Sequence, residues 1–185
     1  RRAENFNITH YMRSASVVPD SDEYTKLWFV RDPFARLTSF YQKIVIGKIE
    51  LWCFADDKAQ CRLEDKSFEQ FILILAELHA RGERLQHHLE PQTRHLLGVN
   101  FDAIVKIEEL ESRATELMAL IDVDARPQHL NKQQKGRLVR PNAHQLHPKE
   151  LPAGEPLAYK SFWNEELKNI ARSVYLDDCN FYDAL

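Results

Sequence analysis

The stretch from Lys26 to Gly47, KLWFVRDPFARLTSFYQKIVIG, constrains the fold more than any other part of the chain. Leu27, Trp28, Phe29 and Val30 form a short, β-prone apolar run without alternation, the pattern of a strand buried on both faces. Asp32 and Pro33 then suit an N-cap and a first helical residue: an Asp oxygen can take an orphan N–H, and Pro has none to lose. Phe34, Leu37, Tyr41, Ile44 and Val45 fall on one face at helical spacing, and Gly47 is a stop signal. The stretch therefore reads as strand, tight turn and helix.

The same alternation continues downstream. Lys48 to Lys66 lacks periodicity and reads as an irregular excursion. Ser67 and Gln70 have the spacing of a capping box, opening a helix with the stripe Phe68, Phe71, Ile72, Leu75 and Leu78 that Gly82 ends. Phe101 to Ile107 suits a second strand, and Glu108 to Ile121 a helix with Leu110, Ala114, Leu117, Met118 and Ile121 facing inward. Arg126 to Lys149, with Pro127, Pro141 and Pro148, reads as loop; Asn164 to Tyr175 closes as a helix with Leu167, Ile170, Ala171 and Val174 inside. Strands alternating with helices predict a parallel α/β sheet covered by helices, with its ligand crevice at the carboxyl ends of the strands. A chain of 185 residues suits one domain, residues 1–185, burying roughly 70% of its unfolded surface.

Charge and cysteine usage narrow the function classes. Lys and Arg number 25 against 28 Asp and Glu, a net charge of -3, which excludes a globally basic nucleic-acid binder; no nucleic-acid partner is expected. Cys53, Cys61 and Cys179 form no CxxC pair, so neither a disulfide framework nor a zinc knuckle is indicated, no metal is expected, and reduced thiols in the cytoplasm are the simpler reading. Apolar runs such as Phe71 to Ala76 fall far short of the roughly 20 residues that cross a bilayer.

Positive charge is nevertheless concentrated in two places. Lys26, Arg31, Arg36, Lys43 and Lys48 face the single acid Asp32 between Lys26 and Lys48, and Arg126 to Lys149 contains no Asp or Glu at all. Arg31 sits where a buried strand ends and Ser39 lies on the following helix, so a guanidinium and a hydroxyl can converge where phosphates usually bind. The planar fork of Arg can grip two phosphate oxygens and stays charged at physiological pH. The structural alternative pairs Arg31 with Asp32 or Glu108 and turns Ser39 to solvent. His87 and His88 are adjacent, and because neighbouring side chains in a helix or strand point apart, they are not expected to share a metal.

The segment WFVRDPFARLTSFY, Trp28 to Tyr41, resembles the 3'-phosphate-binding motif of the sulfotransferases, in particular the family of Golgi carbohydrate sulfotransferases and their bacterial relatives. Further elements follow in that family's order. His88, Pro91 and Gln92 are similar to its His-aromatic-x-Pro-Gln element, with Leu89 in place of the aromatic. FDAIVKIEEL resembles its second strand and acidic turn, and His129, Leu130 and Asn131 its downstream His-x-Asn. Tyr175, Asp178, Phe181 and Tyr182 resemble its closing signature.

The resemblance implies a P-loop-like α/β fold that binds 3'-phosphoadenosine 5'-phosphosulfate and passes its sulfuryl group to a hydroxyl, commonly on a carbohydrate acceptor. Arg31 and Ser39 would hold the 3'-phosphate, and His88 is expected to bind substrate. Charge alone suggests that Lys135 and Arg137 reach donor phosphates from the basic loop. The family also uses a loop with small residues and Lys-Thr or Lys-Ser to cradle the 5'-phosphosulfate. Residues 1–25 hold no Gly and no Lys, so no cradle is assigned, and the start at Arg1 rather than Met leads to the expectation that the first strand and phosphate loop lie upstream. His10, in NFNITHYM, occupies the interval where some uronyl 2-O-sulfotransferases carry their base, and an imidazole can take a hydroxyl proton near neutral pH. The competing class is a non-catalytic module that keeps the phosphate-binding strand and helix and binds an anionic polymer. An upstream anchor would move the expected location from the cytoplasm to the Golgi lumen.

Overall fold

A computed structural model describes residues 25–47, 65–96, 98–122, 138–152 and 156–185. Strand β1, Leu27–Val30, pairs in parallel with β2, Ala103–Lys106, in the register Leu27 opposite Ala103 through Val30 opposite Lys106. The register is locked at its start, where the Asp102 N–H donates to the Lys26 carbonyl at 2.9 Å and the Lys26 N–H to Asp102 Oδ2 at 2.7 Å. A parallel pair needs a long crossover, and helices α1, Pro33–Gly47, and α2, Phe68–Ala80, lie in it. Among the described residues the result is a small two-stranded parallel sheet flanked by helices, a mixed α/β fold. Also among them, no helix is long and apolar enough to cross a membrane.

The local signals act as anticipated at both helix starts. The Ala35 N–H donates to Asp32 Oδ1 at 2.6 Å, with Pro33 as the first helical residue of α1. At α2 the Gln70 N–H donates to Ser67 Oγ at 3.2 Å and the Ser67 N–H to Gln70 Oε1 at 3.0 Å, closing the box. Gly82 follows that helix at φ +68°, the left-handed conformation that glycine adopts without strain. Phe34, Leu37, Tyr41 and Ile44 of α1 are buried together with the whole predicted stripe of α2.

The core is built around aromatic rings from distant segments. Phe68 lies 5.1 Å from Tyr41, 5.2 Å from Phe162 and 4.9 Å from Trp163 between ring centroids. The buried Thr38 hydroxyl accepts from the Trp163 indole at 2.7 Å and donates to the Phe34 carbonyl at 2.9 Å, so Trp163 keeps a polar partner inside. Helix α3, Ala114–Leu120, follows β2 after a 3-10 turn at Ile107–Glu109. Helix α4, Glu165–Val174, packs on α2 and is capped by Asn164, whose Oδ1 accepts from the Leu167 N–H at 2.7 Å. Helix α5, Leu176–Ala184, follows Tyr175 directly.

Two expectations about these elements are corrected. Phe29 is 42% exposed, so β1 is not covered on both faces by described residues: alternation puts Trp28 and Val30 on one side and Leu27 and Phe29 on the other. The predicted helix from Glu108 to Ile121 shortens to α3. Only Leu117 of α3 is buried and no side chain caps its start, so little apolar burial is available to sustain more turns. The loop reading of Arg126 to Lys149 holds from Leu138 onward, where the chain makes an isolated bridge, turns and the 3-10 turn Pro148–Glu150. The earlier part of that basic loop and nearly all of the Lys48 to Lys66 excursion lie outside the described residues.

Candidate functional site

Arg31 leaves the carboxyl end of β1 one residue beyond its pairing with β2. Its main chain is instead held by a side chain: the Arg31 N–H donates to Gln92 Oε1 at 3.1 Å, and Gln92 Nε2 donates to the Arg31 carbonyl at 2.8 Å. Among the described residues the Arg31 guanidinium has no hydrogen bond or ion pair. Both acids offered as its structural partners are engaged elsewhere, Asp32 Oδ1 by the Ala35 N–H and Glu108 Oε2 by the Tyr182 hydroxyl at 3.1 Å. Burial pushes the Asp32 carboxyl above the usual carboxylate range, opposed by its bond from Ala35 and reinforced by Glu108 and Asp183. Ser39 is half-buried on α1, with about 9 Å of helix axis between it and Pro33 at 1.5 Å per residue.

Behind the strand end lies a polar brace that joins the motifs strung along the sequence. Asp178, 1% exposed in the first turn of α5, accepts from the Gln92 N–H at 2.8 Å, the Thr93 N–H at 2.9 Å and the Thr93 hydroxyl at 2.8 Å. Arg36, one turn into α1, places Nη2 3.5 Å from Asp178 Oδ2 and donates from Nη1 to the carbonyls of Glu90 at 2.9 Å and His88 at 3.3 Å. Its guanidinium lies over the Tyr175 ring, 5.4 Å from the centroid, and the Tyr175 hydroxyl donates to the Leu89 carbonyl at 2.7 Å. Leu89, where the resembled element has an aromatic, is fully buried.

A model of the sulfotransferase family matches residues 2–183. The chain belongs to the sulfotransferase family. No solved structure matches it. In this sulfotransferase the elements that resemble family motifs singly, Arg36, His88 to Gln92, Tyr175 and Asp178, form one hydrogen-bonded assembly around the buried Leu89, Glu90, Tyr175 and Asp178, and its outer edge is the main chain of Arg31.

His88 sits on the rim of that assembly, its ring 6.3 Å from Phe40 and 3.9 Å from His87. The histidine rings converge rather than point apart, because residues 87 to 89 form a turn, where the helix and strand rules for neighbours do not apply. Burial, then the proximity of His87, Lys43 and Arg36, hold the His88 imidazole below its ordinary pKa, favouring its neutral form at pH 7. Among the described residues no group of three or more His, Cys, Asp or Glu side chains is arranged to hold a metal.

His10, Lys135 and Arg137 lie outside the described residues, as do residues 1–24, on which the expectation about the phosphate cradle falls, and the segment His129 to Asn131. Gln92, Thr93, Arg36 and Asp178 carry the brace although sequence reasoning singled out none of them for a role at the site. Their signal was the motif order itself, in which Gln92 and Asp178 already stood.

Proposed function

We propose that this sulfotransferase takes its sulfuryl group from 3'-phosphoadenosine 5'-phosphosulfate and transfers it to a carbohydrate hydroxyl. The observation that carries the donor half is the Arg31 guanidinium, unpartnered among the described residues at the junction of a parallel strand with the amino end of a helix. That junction favours anions, and a guanidinium adds a bidentate, permanently charged donor. Arg31 and Ser39 hold the 3'-phosphate, Lys135 and Arg137 add positive charge, and His88 binds acceptor. The carbohydrate acceptor is supported by the resemblance of the Trp28 to Tyr41 segment. In the transfer, the acceptor oxygen forms a bond to sulfur as the bond from sulfur to the 5'-phosphate oxygen breaks, and the acceptor proton passes to His10.

Calorimetric titration with adenosine 3',5'-bisphosphate tests the donor site. Arg31→Ala is expected to cost about 1.5–3 kcal/mol of binding, the loss of a charge-assisted contact, and Ser39→Ala about 0.5–1.5 kcal/mol. Unchanged binding in both variants would remove the assignment. In an active chain that carries the Lys-Thr or Lys-Ser phosphate loop, His10→Ala is expected to lower turnover about a hundredfold or more in assays with labelled donor while bisphosphate affinity stays nearly the same. Near-normal turnover of that variant would give the proton to another group.

A further inference from the structure

We infer that Gln92 is a positioning residue for Arg31: by pairing with both main-chain polar groups of Arg31 it sets the turn between β1 and α1 and so aims the guanidinium at the 3'-phosphate. The inference rests on the reading of Arg31 as the ligand of that phosphate. Its physical basis is the point at which the sheet stops. The register of β1 with β2 ends at Val30 opposite Lys106, so Arg31 has no ladder partner in β2. The Gln92 carboxamide supplies what a neighbouring strand would, an acceptor for the Arg31 N–H at 3.1 Å and a donor to the Arg31 carbonyl at 2.8 Å. A primary amide is the side-chain group that offers an acceptor oxygen and an N–H donor in one plane, as a peptide does.

The clamp is itself anchored. The Gln92 N–H donates to Asp178, which is 1% exposed and also takes both donors of Thr93. Arg36 closes the assembly from α1, 3.5 Å from the same carboxylate. Strand end, helix α1 and helix α5 are thus tied at one point, and the Arg31 guanidinium takes no part in the tie. A long side chain multiplies any rotation of its own backbone, so holding Arg31 at both N–H and C=O spares the bound state an ordering cost. Removing the amide leaves the guanidinium in place chemically but no longer fixed in direction.

The test is a double-mutant cycle on the 185-residue chain, with Gln92→Ala, Arg31→Ala and the pair, titrated calorimetrically with adenosine 3',5'-bisphosphate and with adenosine 5'-phosphate. Gln92→Met runs in parallel, because it keeps the stem and volume and lacks both hydrogen bonds, and thermal melts confirm that each variant is folded. In either Gln92 variant the bisphosphate affinity is expected to fall roughly tenfold, the size of effect that lost preorganisation of one charged contact produces, with 5'-phosphate affinity unchanged. In the Arg31→Ala background the same substitutions are expected to change neither affinity. Equal weakening of both nucleotides, a loss that persists without Arg31, or no loss in a background where Arg31→Ala does weaken binding would each overturn the positioning role. If the unaltered chain does not bind the bisphosphate, or Arg31→Ala leaves its affinity unchanged, the 3'-phosphate reading fails first and this inference falls with it.

Discussion

Asp178→Ala is expected to lower the free energy of unfolding by about 3–5 kcal/mol, the loss seen when one partner of a buried ionic group is removed. The carboxylate takes three donors, the N–H groups of Gln92 and Thr93 and the Thr93 hydroxyl, and faces Arg36 at 3.5 Å. Its side chain is wholly buried and that of Arg36 is 17% exposed, so solvent does little to screen the pair. Among the described residues Arg36 Nε and Nη2 are buried without hydrogen bonds and Asp178 is the carboxylate that faces the guanidinium, so its charge compensation comes from there. Urea unfolding followed by circular dichroism measures the loss. A change below about 1 kcal/mol, within the range of exposed ion pairs, would mean that the brace is not a stabilising element. Replacing both ends, Arg36→Met with Asp178→Leu, is expected to cost less than the sum of the single changes, since no charge is then left buried alone.

Phe68→Ala is expected to cost a similar amount, about 3–5 kcal/mol, through the cavity it opens. Phe68 is fully buried and its ring meets Tyr41 at 5.1 Å, Phe162 at 5.2 Å and Trp163 at 4.9 Å, two of these edge-on. It is also the first residue of α2 after the Ser67 cap, so the side chain that seats this helix end on α1 and the segment before α4 is the one removed. Edge-to-face aromatic pairs add to the area term, and the surrounding rings belong to separate segments that cannot collapse together cheaply. For a chain of this size the midpoint of thermal unfolding is expected to fall by roughly 6–20 °C. Leu73 on the same helix is 48% exposed, and Leu73→Ala serves as the control, with an expected change within about 0.5 kcal/mol. Equal losses at the two positions would show that the packing of Phe68 among these rings is not the source of the effect, since Ala is the better helix former at both.

The elements that sequence reading located well are those whose signals are local. Asp32 and Pro33 start α1, Ser67 and Gln70 start α2 and Asn164 starts α4, because each cap is satisfied by an N–H three residues away. The buried stripe of α2 follows from spacing alone. Periodicity located the inward face of the next segment but not its extent: Leu117 is buried and Leu110, Ala114, Met118 and Ile121 are half-buried, and with burial that shallow the helix is short. At the candidate site, Arg31 and Ser39 were legible as residue types at a strand end and on the next helix. The engagement of Asp32 and Glu108 by other groups, which leaves the Arg31 guanidinium unpartnered among the described residues, was not.

By itself the sequence determined the strand, turn and helix around Arg31, the caps, the apolar stripe of α2 and, through the order of its motifs, the sulfotransferase family that the family match then showed. Only the tertiary structure decided that Gln92 grips the Arg31 main chain, that Asp178 gathers Gln92, Thr93 and Arg36, that the His87 and His88 rings converge, and that Phe29 stays exposed. Caps and helical faces depend on neighbours a few residues apart, so their chemistry repeats with a readable period. The hydrogen bonds of the brace join a strand end, a 3-10 turn and a carboxy-terminal helix, and such contacts have no period, because the path of the chain alone determines which polar groups meet.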